Sequence, residues 1–513
     1  MADNLGSFKV FAEGGLNLNR DVLSQGEKSP GSAVSLINYE PANTGGYRRV
    51  SGFTNSFGTV PGTGSVLGVA VANGINEGVL AARKPSSGYN YLHKWNSSSS
   101  DWDAVTTAGN PTMNGVTKVR FTRINFGSPK VVLTDGINPA ATYDGTTYTA
   151  LTHASAPDDP KFSAVFQNHL FLAGDPNENT NLYFSAPYNE VDFDTGNGAG
   201  VFNVGFPIVA IKPFRDALFI FGTNNIKRLV GNNQNDFVLQ HVTDDLGCLA
   251  SDSVVELAGD LLFLSQDGIR PISGTDKIGD VNLQTLTKNI QSLFTAVILE
   301  EDLDKLSSVI VRSKSQFRMF YDVDNANGLL GGLRLNEQGI GFEFGQLLGI
   351  EVTCADSGYI GQFEFVLHGD KTGKVHRQEQ GNDFGGANIV SIYQTPFLHM
   401  QDPEQRKIIH TVATYLRSEG DNEIIMSVIY DYDDTTILNP TNFTLTNEGA
   451  AAFYNEAIYN ESSTIWSGNP SPVKRTNVSG SGKSVSFRYV TNDTRASHSV
   501  QGIVVTFAVG DRL

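Results

Sequence analysis

The sequence predicts an all-β protein: a β-propeller of about seven blades, with six to eight possible, a C-terminal antiparallel β-sandwich and an extended N-terminal arm. Three observations predict it. Composition is the first, with 53 glycines, 31 Phe and 17 Tyr against 5 Met in 513 residues. Glycine and aromatics together suit many short strands joined by tight turns, whereas a helix-rich chain would carry more Leu, Ala, Glu and Lys. The second is a recurring apolar strand. The third is a change of texture near residue 390.

Residues 1–64 read as the arm and an entry strand. Gly14-Gly15-Leu16-Asn17-Leu18-Asn19-Arg20 and Gly45-Gly46-Tyr47-Arg48-Arg49 are turn-rich. Only Ser32 to Tyr39 is apolar enough for one strand or a short helix. Residues 65–390 read as the propeller. Each unit opens with an apolar strand, turns sharply and continues into a second strand that often ends in glycine. The second strand is visible in Gly78–Arg83, Lys130–Gly136, His169–Gly174, Ala217–Gly222, Leu261–Gly268, Phe317–Asp322 and Phe363–Gly369. The copies recur every roughly 40–55 residues, the length of a four-stranded blade. Runs such as Leu218-Phe219-Ile220-Phe221 lack the alternation of a half-wetted strand, so both faces should be buried. A blade with two apolar faces needs a neighbour on each side, and closing the ring leaves no open end. No WD dipeptide or kelch double glycine marks the repeat, so a series of separate sandwiches is the competing architecture.

One segment departs from the pattern. Leu283, Leu286, Ile290, Leu293, Phe294 and Val297 fall at helical spacing, which predicts a helix over 282–306 packed on a blade, capped by Asp280 or Asn282. Residues 391–513 read as the sandwich. Its strands are Ile408–Leu416, Glu423–Tyr430, Ser484–Val490 and Gln501–Val509.

The net charge of −17 disfavours ordinary nucleic-acid binding. Cys248 and Cys354 are too few for a disulfide scaffold and read as small core residues. The N-terminus shows no secretory signal, and no apolar run approaches the roughly 18 residues of a membrane span, so use without membrane export is expected.

Motifs of catalysis are weak. Gly480-Ser481-Gly482-Lys483-Ser484 ends like a P-loop, but Asn477 stands where the first glycine belongs and a strand follows, so it reads as a hairpin turn. His368 and His376 flank a predicted turn and read as surface or blade-edge residues. Asp431-Tyr432-Asp433-Asp434, Asp192-Phe193-Asp194 and Asp158-Asp159 lack calcium-loop spacing and read as solvated turns. Ser265-Gln266-Asp267-Gly268 is not a sialidase Asp-box, because the glycine is one place early and no tryptophan follows. It reads as a tight turn. Trp95, Trp102 and Trp466 are too few for a carbohydrate platform. No catalytic, cofactor-binding or metal-binding residue is assigned, and no cofactor is expected.

Three stretches carry a resemblance. Gly46-Tyr47-Arg48-Arg49-Val50-Ser51-Gly52-Phe53 follows a glycine-rich arm. Phe166-Gln167-Asn168-His169-Leu170-Phe171-Leu172-Ala173-Gly174 leads to Leu182-Tyr183-Phe184-Ser185. Asn225-Ile226-Lys227-Arg228-Leu229-Val230-Gly231 leads through Leu246-Gly247-Cys248-Leu249-Ala250-Ser251-Asp252-Ser253-Val254 to Phe263-Leu264-Ser265-Gln266-Asp267-Gly268-Ile269. Over residues 40–275, and more weakly over Pro396–Lys407, the chain resembles the tail nozzle proteins (tail tubular protein B) of short-tailed bacteriophages. It is shorter than the larger nozzles, which carry inserted domains, so the terminal nozzle and another ring of such a tail both stay open. The resemblance implies a virion protein assembled in the bacterial cytoplasm. It implies a homo-oligomeric ring, typically a hexamer, around the DNA exit channel. An adaptor ring, tail fibres or a plug would be its neighbours, and phage DNA would pass through without sequence-specific binding. An acidic lumen would let DNA slide past. A receptor-binding tail adhesin using propeller loops is the alternative, and a propeller glycan hydrolase a further one.

Overall fold

The structure, a computed structural model, describes residues 5–42, 44–274, 285–336, 339–400, 402–447 and 472–510. Each of the seven recurring apolar segments is the second strand of its sheet. Val79–Lys84 pairs with the inner strand Thr63–Val71 in blade 1, and Pro129–Thr134 with Arg120–Asn125 in blade 2. His169–Ala173 pairs with Phe162–Phe166 in blade 3, and Ala217–Phe221 with Ala210–Phe214 in blade 4. Asp260–Ser265 pairs with Val255–Leu257 in blade 5, and Gln316–Asp322 with Ser307–Val311 in blade 6. Phe363–Gly369 pairs with Cys354–Ile360 in blade 7. Six of these units are free-standing sheets, five of four strands and one, blade 5, of three. Blade 6 is not free-standing, because its four strands open a nine-stranded sheet.

The second strands of blades 3, 4 and 6 are buried at every residue. The apolar clusters explain why: most fill a gap between neighbouring blades, and the largest joins blades 5 and 6 to the sandwich. Leu80 and Leu133 meet between blades 1 and 2, Leu218 and Phe171 between 3 and 4, and Phe221 and Phe263 between 4 and 5. Val69 and Leu367 meet between blades 1 and 7, which closes the ring. The last blade takes its fourth strand from the front of the chain, where Phe53 pairs with Gln378 and Thr54 with Arg377. Ring closure is therefore held by backbone hydrogen bonds between segments more than 300 residues apart.

The segment read as an arm is built into the body. Leu5–Phe11 pairs along its whole length with Gly502–Ala508 of the last strand, His498–Val509. Tyr39–Pro41 and Tyr47–Arg49 join the same seven-stranded sheet, whose other main strand is Lys407–Ser418. The second sheet of the sandwich is the continuation of blade 6. It runs through Ser35–Ile37, Ile389–Gln394, Val485–Asp493 and Asn422–Tyr430 to Phe443–Asn447. Ile37 pairs in parallel with Gln346 of blade 6 and antiparallel with Ile392, so one short strand welds propeller to sandwich. A buried ion network reinforces the joint. Glu40 faces Arg48 at 3.0 Å, Lys314 at 2.7 Å and Arg318 at 3.5 Å, and Glu379 pairs with both Lys314 and Arg318.

The helix is shorter than expected. A 3-10 turn at Lys288–Ile290 leads into Gln291–Glu300, and Ile290, Phe294 and Val297 are buried beside blades 5 and 6. It stops at Glu301, and tight turns carry the chain to Leu306, where Lys305 N–H donates to the Asp302 carbonyl. Ile290 takes the N-cap position with no capping side chain. Leu283 and the expected caps Asp280 and Asn282 lie outside the described residues.

Candidate functional site in the propeller channel

The inner strands of all seven units line a central cavity of about 360 Å³. Its charged residues form two groups. The first is a strut across the ring. Arg120 of blade 2 grips Asp252, just ahead of the inner strand of blade 5, through Nε–Oδ1 at 2.9 Å and Nη2–Oδ2 at 2.8 Å. Lys118 Nζ lies 3.0 Å from Asp252 Oδ2 and also donates to the Leu306 carbonyl. Burial pushes the Asp252 carboxyl up, but Arg120 and Lys118 outweigh it and hold the group well below the usual carboxylate range. Burial lowers the Lys118 ammonium, with Asp252 opposing. The two-toothed guanidinium–carboxylate geometry makes this a rigid, directional tie. Cys354 lines the same cavity, and burial raises its thiol to about 12, far from a reactive thiolate.

The second group holds Arg123, Lys212 and Arg312, from blades 2, 4 and 6, with Glu256 and Asp356 from blades 5 and 7. Arg123 pairs with Asp356 and donates from Nε to the Val71 carbonyl, while Asp356 also accepts the Val71 N–H at 2.8 Å. Arg312 Nη1 donates to Ser357 Oγ at 2.8 Å and lies 3.8 Å from Glu364. Lys212 is different. It has no hydrogen-bond or ion-pair partner for its ammonium among the described residues. Burial lowers it, and Asp356 and Glu256 pull the other way. Glu256 is exposed to the cavity and likewise unpaired. The arrangement can hold an anion or position a proton donor. No group of three or more His, Cys, Asp or Glu able to hold a metal occurs among the described residues.

The residues singled out by sequence lie elsewhere. His368 and His376 are neither at the surface nor at an outer edge. They are register partners on adjacent strands of blade 7, stacked at 4.8 Å and almost fully buried. The sequence misplaced them because their cover, Phe53, comes from the far end of the chain and packs edge-on to both rings at 4.9 Å. Burial keeps His368 well below its ordinary value, and His376 Nε2–H donates to the Asp370 carboxylate at 3.0 Å. Gly480–Ser484 is not a hairpin turn: Ser481 and Gly482 form a short strand paired with Ile408 and Lys407, the strands on either side lie in different sheets, and Lys483 pairs with Glu404 at 3.2 Å on the surface. Asp431 is not merely solvated: it accepts the Ser484 N–H at 2.7 Å. Asp192 and Asp194 cap their own turn. Gly268 has φ +120, as the tight-turn reading of Asp267-Gly268 requires. Trp95 and Trp102 pack edge-to-face at 5.5 Å in blade 1. Trp466 lies outside the described residues.

The channel cations were not singled out. A signal existed, because Lys118, Arg120 and Arg123 fall within six residues of an otherwise acidic chain. Lys212 and Glu256 carry no such signal. They become neighbours only when blades 4 and 5 stand side by side.

No family model matches the chain, and no curated protein matches it. Among solved structures, it is similar to an extracellular domain assigned to a one component system of B. thetaiotaomicron, at 11% identity and TM-score 0.39, over 64% of this chain and 40% of that one. An ancestral GH74 enzyme gives 10% identity and TM-score 0.38 over 73% and 53%. The exo-β-1,3-galactanase from Phanerochaete chrysosporium gives 13% identity and TM-score 0.25 over 89% and 100%. Likeness at this level carries no argument about activity, and the propeller rests on the strand pairing above.

Proposed function

We propose that this chain is a structural protein of a bacteriophage tail, forming a homo-oligomeric nozzle ring, of about six copies, around the path of DNA. The observation that supports this reading is the single welded body. Blade 6 and the sandwich share one nine-stranded sheet, and the first strand is paired along its length with the last. Such a body keeps its shape under load, which is what a ring that guides DNA requires. The resembling stretch 46–53 is the joint itself: Tyr47–Arg49 lies in the sandwich and Phe53 closes the propeller. The charge supports passage of DNA, since six copies would carry about −100 and repel phosphates. Native mass measurement and cryo-EM of the purified chain test the reading. A closed ring of about six copies with an acid-lined lumen is expected. A chain that stays monomeric at tens of micromolar, or a lumen lined mainly by Lys and Arg, overturns it.

A further inference from the structure

We propose that the propeller channel is a binding site for a small anion, a carboxylate or phosphate group, with Lys212 as its principal contact. This goes beyond the ring role and does not depend on it. The charge balance carries the inference. Around the channel, Asp252 is matched by Arg120 and Lys118, Asp356 by Arg123, and Glu364 by Arg312. Lys212 and Glu256 remain, both without a partner among the described residues. Five cations and three carboxylates line the channel, in a chain whose net charge is −17. The channel is thus locally cationic where the protein as a whole is not.

Donor geometry points the same way. Lys212 has all its N–H groups to spare. Arg123 commits Nε and Nη2, which leaves Nη1, and Arg312 commits Nη1, which leaves Nη2. These three side chains come from alternate blades and line one cavity. Arg123 and Arg312 keep 45% and 42% of their side-chain surface exposed although their other ends are tied. A half-committed, pre-oriented guanidinium loses little entropy on meeting an oxyanion. The cavity, about 360 Å³, sits at the small end of ligand pockets, which span about 300–1,000 Å³. It fits one acidic monosaccharide or a phosphate with its water. Glu256 could accept a hydroxyl from a sugar acid, and it opposes any anion that lacks one.

The test is calorimetric titration of the full chain with sodium phosphate, with glucuronate and with glucose, at low and high salt. Saturable binding of phosphate or glucuronate that weakens with salt is expected, with no binding of glucose, and the tighter of the two names the preferred group. Lys212→Met should weaken the anion at least tenfold while the melting temperature of the unliganded protein stays unchanged. Glu256→Gln should tighten phosphate several-fold, a gain that misfolding cannot produce. Absence of saturable anion binding, Lys212→Met binding as wild type does, or Glu256→Gln binding phosphate no tighter would each overturn the proposal.

Discussion

His498 should make the protein markedly acid-labile before its carboxylates titrate. The ring is fully buried in the first residue of the last strand, with Nε2 2.7 Å from the Tyr39 hydroxyl and Nδ1 without a partner among the described residues. Burial, then Arg49 and Arg48, lower its pKa from 6.5 to about 3. The unfolded chain therefore binds a proton below pH 6.5 that the folded chain refuses. Stability from this group is whole above pH 6.5 and falls as the pH drops toward about 3. At pH 4.5 the unfolded pKa lies about 2 units above the solution, which amounts to roughly 3 kcal/mol. His498→Gln removes the titration while its amide can still meet Tyr39. Urea unfolding of both proteins at pH 7 and 4.5, followed by far-UV circular dichroism, isolates the effect, since His368 and His93 remain in both. The variant should be less stable at pH 7 by about 1–3 kcal/mol, and the gap should close or reverse at pH 4.5. Parallel losses in the two proteins would refute the reasoning.

Asp252→Asn leaves Lys118 and Arg120 buried without their shared carboxylate, so a loss of about 3–5 kcal/mol is expected by denaturant titration. A triple change of Lys118→Met, Arg120→Met and Asp252→Leu should recover most of it. Phe53→Ala strips the closing strand of its stacking on Phe384 at 5.5 Å and its cover over His368 and His376. It should cost about 3–5 kcal/mol and speed limited proteolysis. Gly46→Ala places a Cβ 2.3 Å from the Val500 carbonyl oxygen at φ +86. The left-handed backbone alone costs about 1 kcal/mol and the clash adds to it, so a lowered melting temperature is expected.

The propeller was legible because its second strands are buried on both faces, which writes an unbroken apolar run into the sequence. His169–Ala173 and Ala217–Phe221 needed no partner to be recognised. The sandwich strands were legible through alternation, and Asn422–Tyr430 and Lys407–Ser418 lie within a few residues of their expected bounds. The arm was harder. Leu5–Phe11 has exposed ends and a lysine in its middle, and it becomes a strand only because the last strand of the chain offers a free edge. The merging of blade 6 with the sandwich depends on Ser35–Ile37, a three-residue strand that no periodicity can announce. The channel followed the same logic. Lys212 lies in a strand whose other residues are ordinary, and its meaning comes from seven inner strands converging.

The two functional readings make separable demands on charge. A ring that passes DNA needs carboxylates on the surface that faces the lumen of the assembly. The anion site needs cations inside a single subunit's propeller. The five cations and three carboxylates lining the channel carry +2, so the rest of the chain carries −19 and is more acidic than the total shows. Local attraction in the channel is thus compatible with repulsion outside, because screening at physiological salt confines each field to about 8 Å. Neutralising Lys212 should weaken small-anion binding at least tenfold while ring assembly persists. Loss of the ring in Lys212→Met, read by native mass measurement, would show that the channel serves assembly and that the two roles are one.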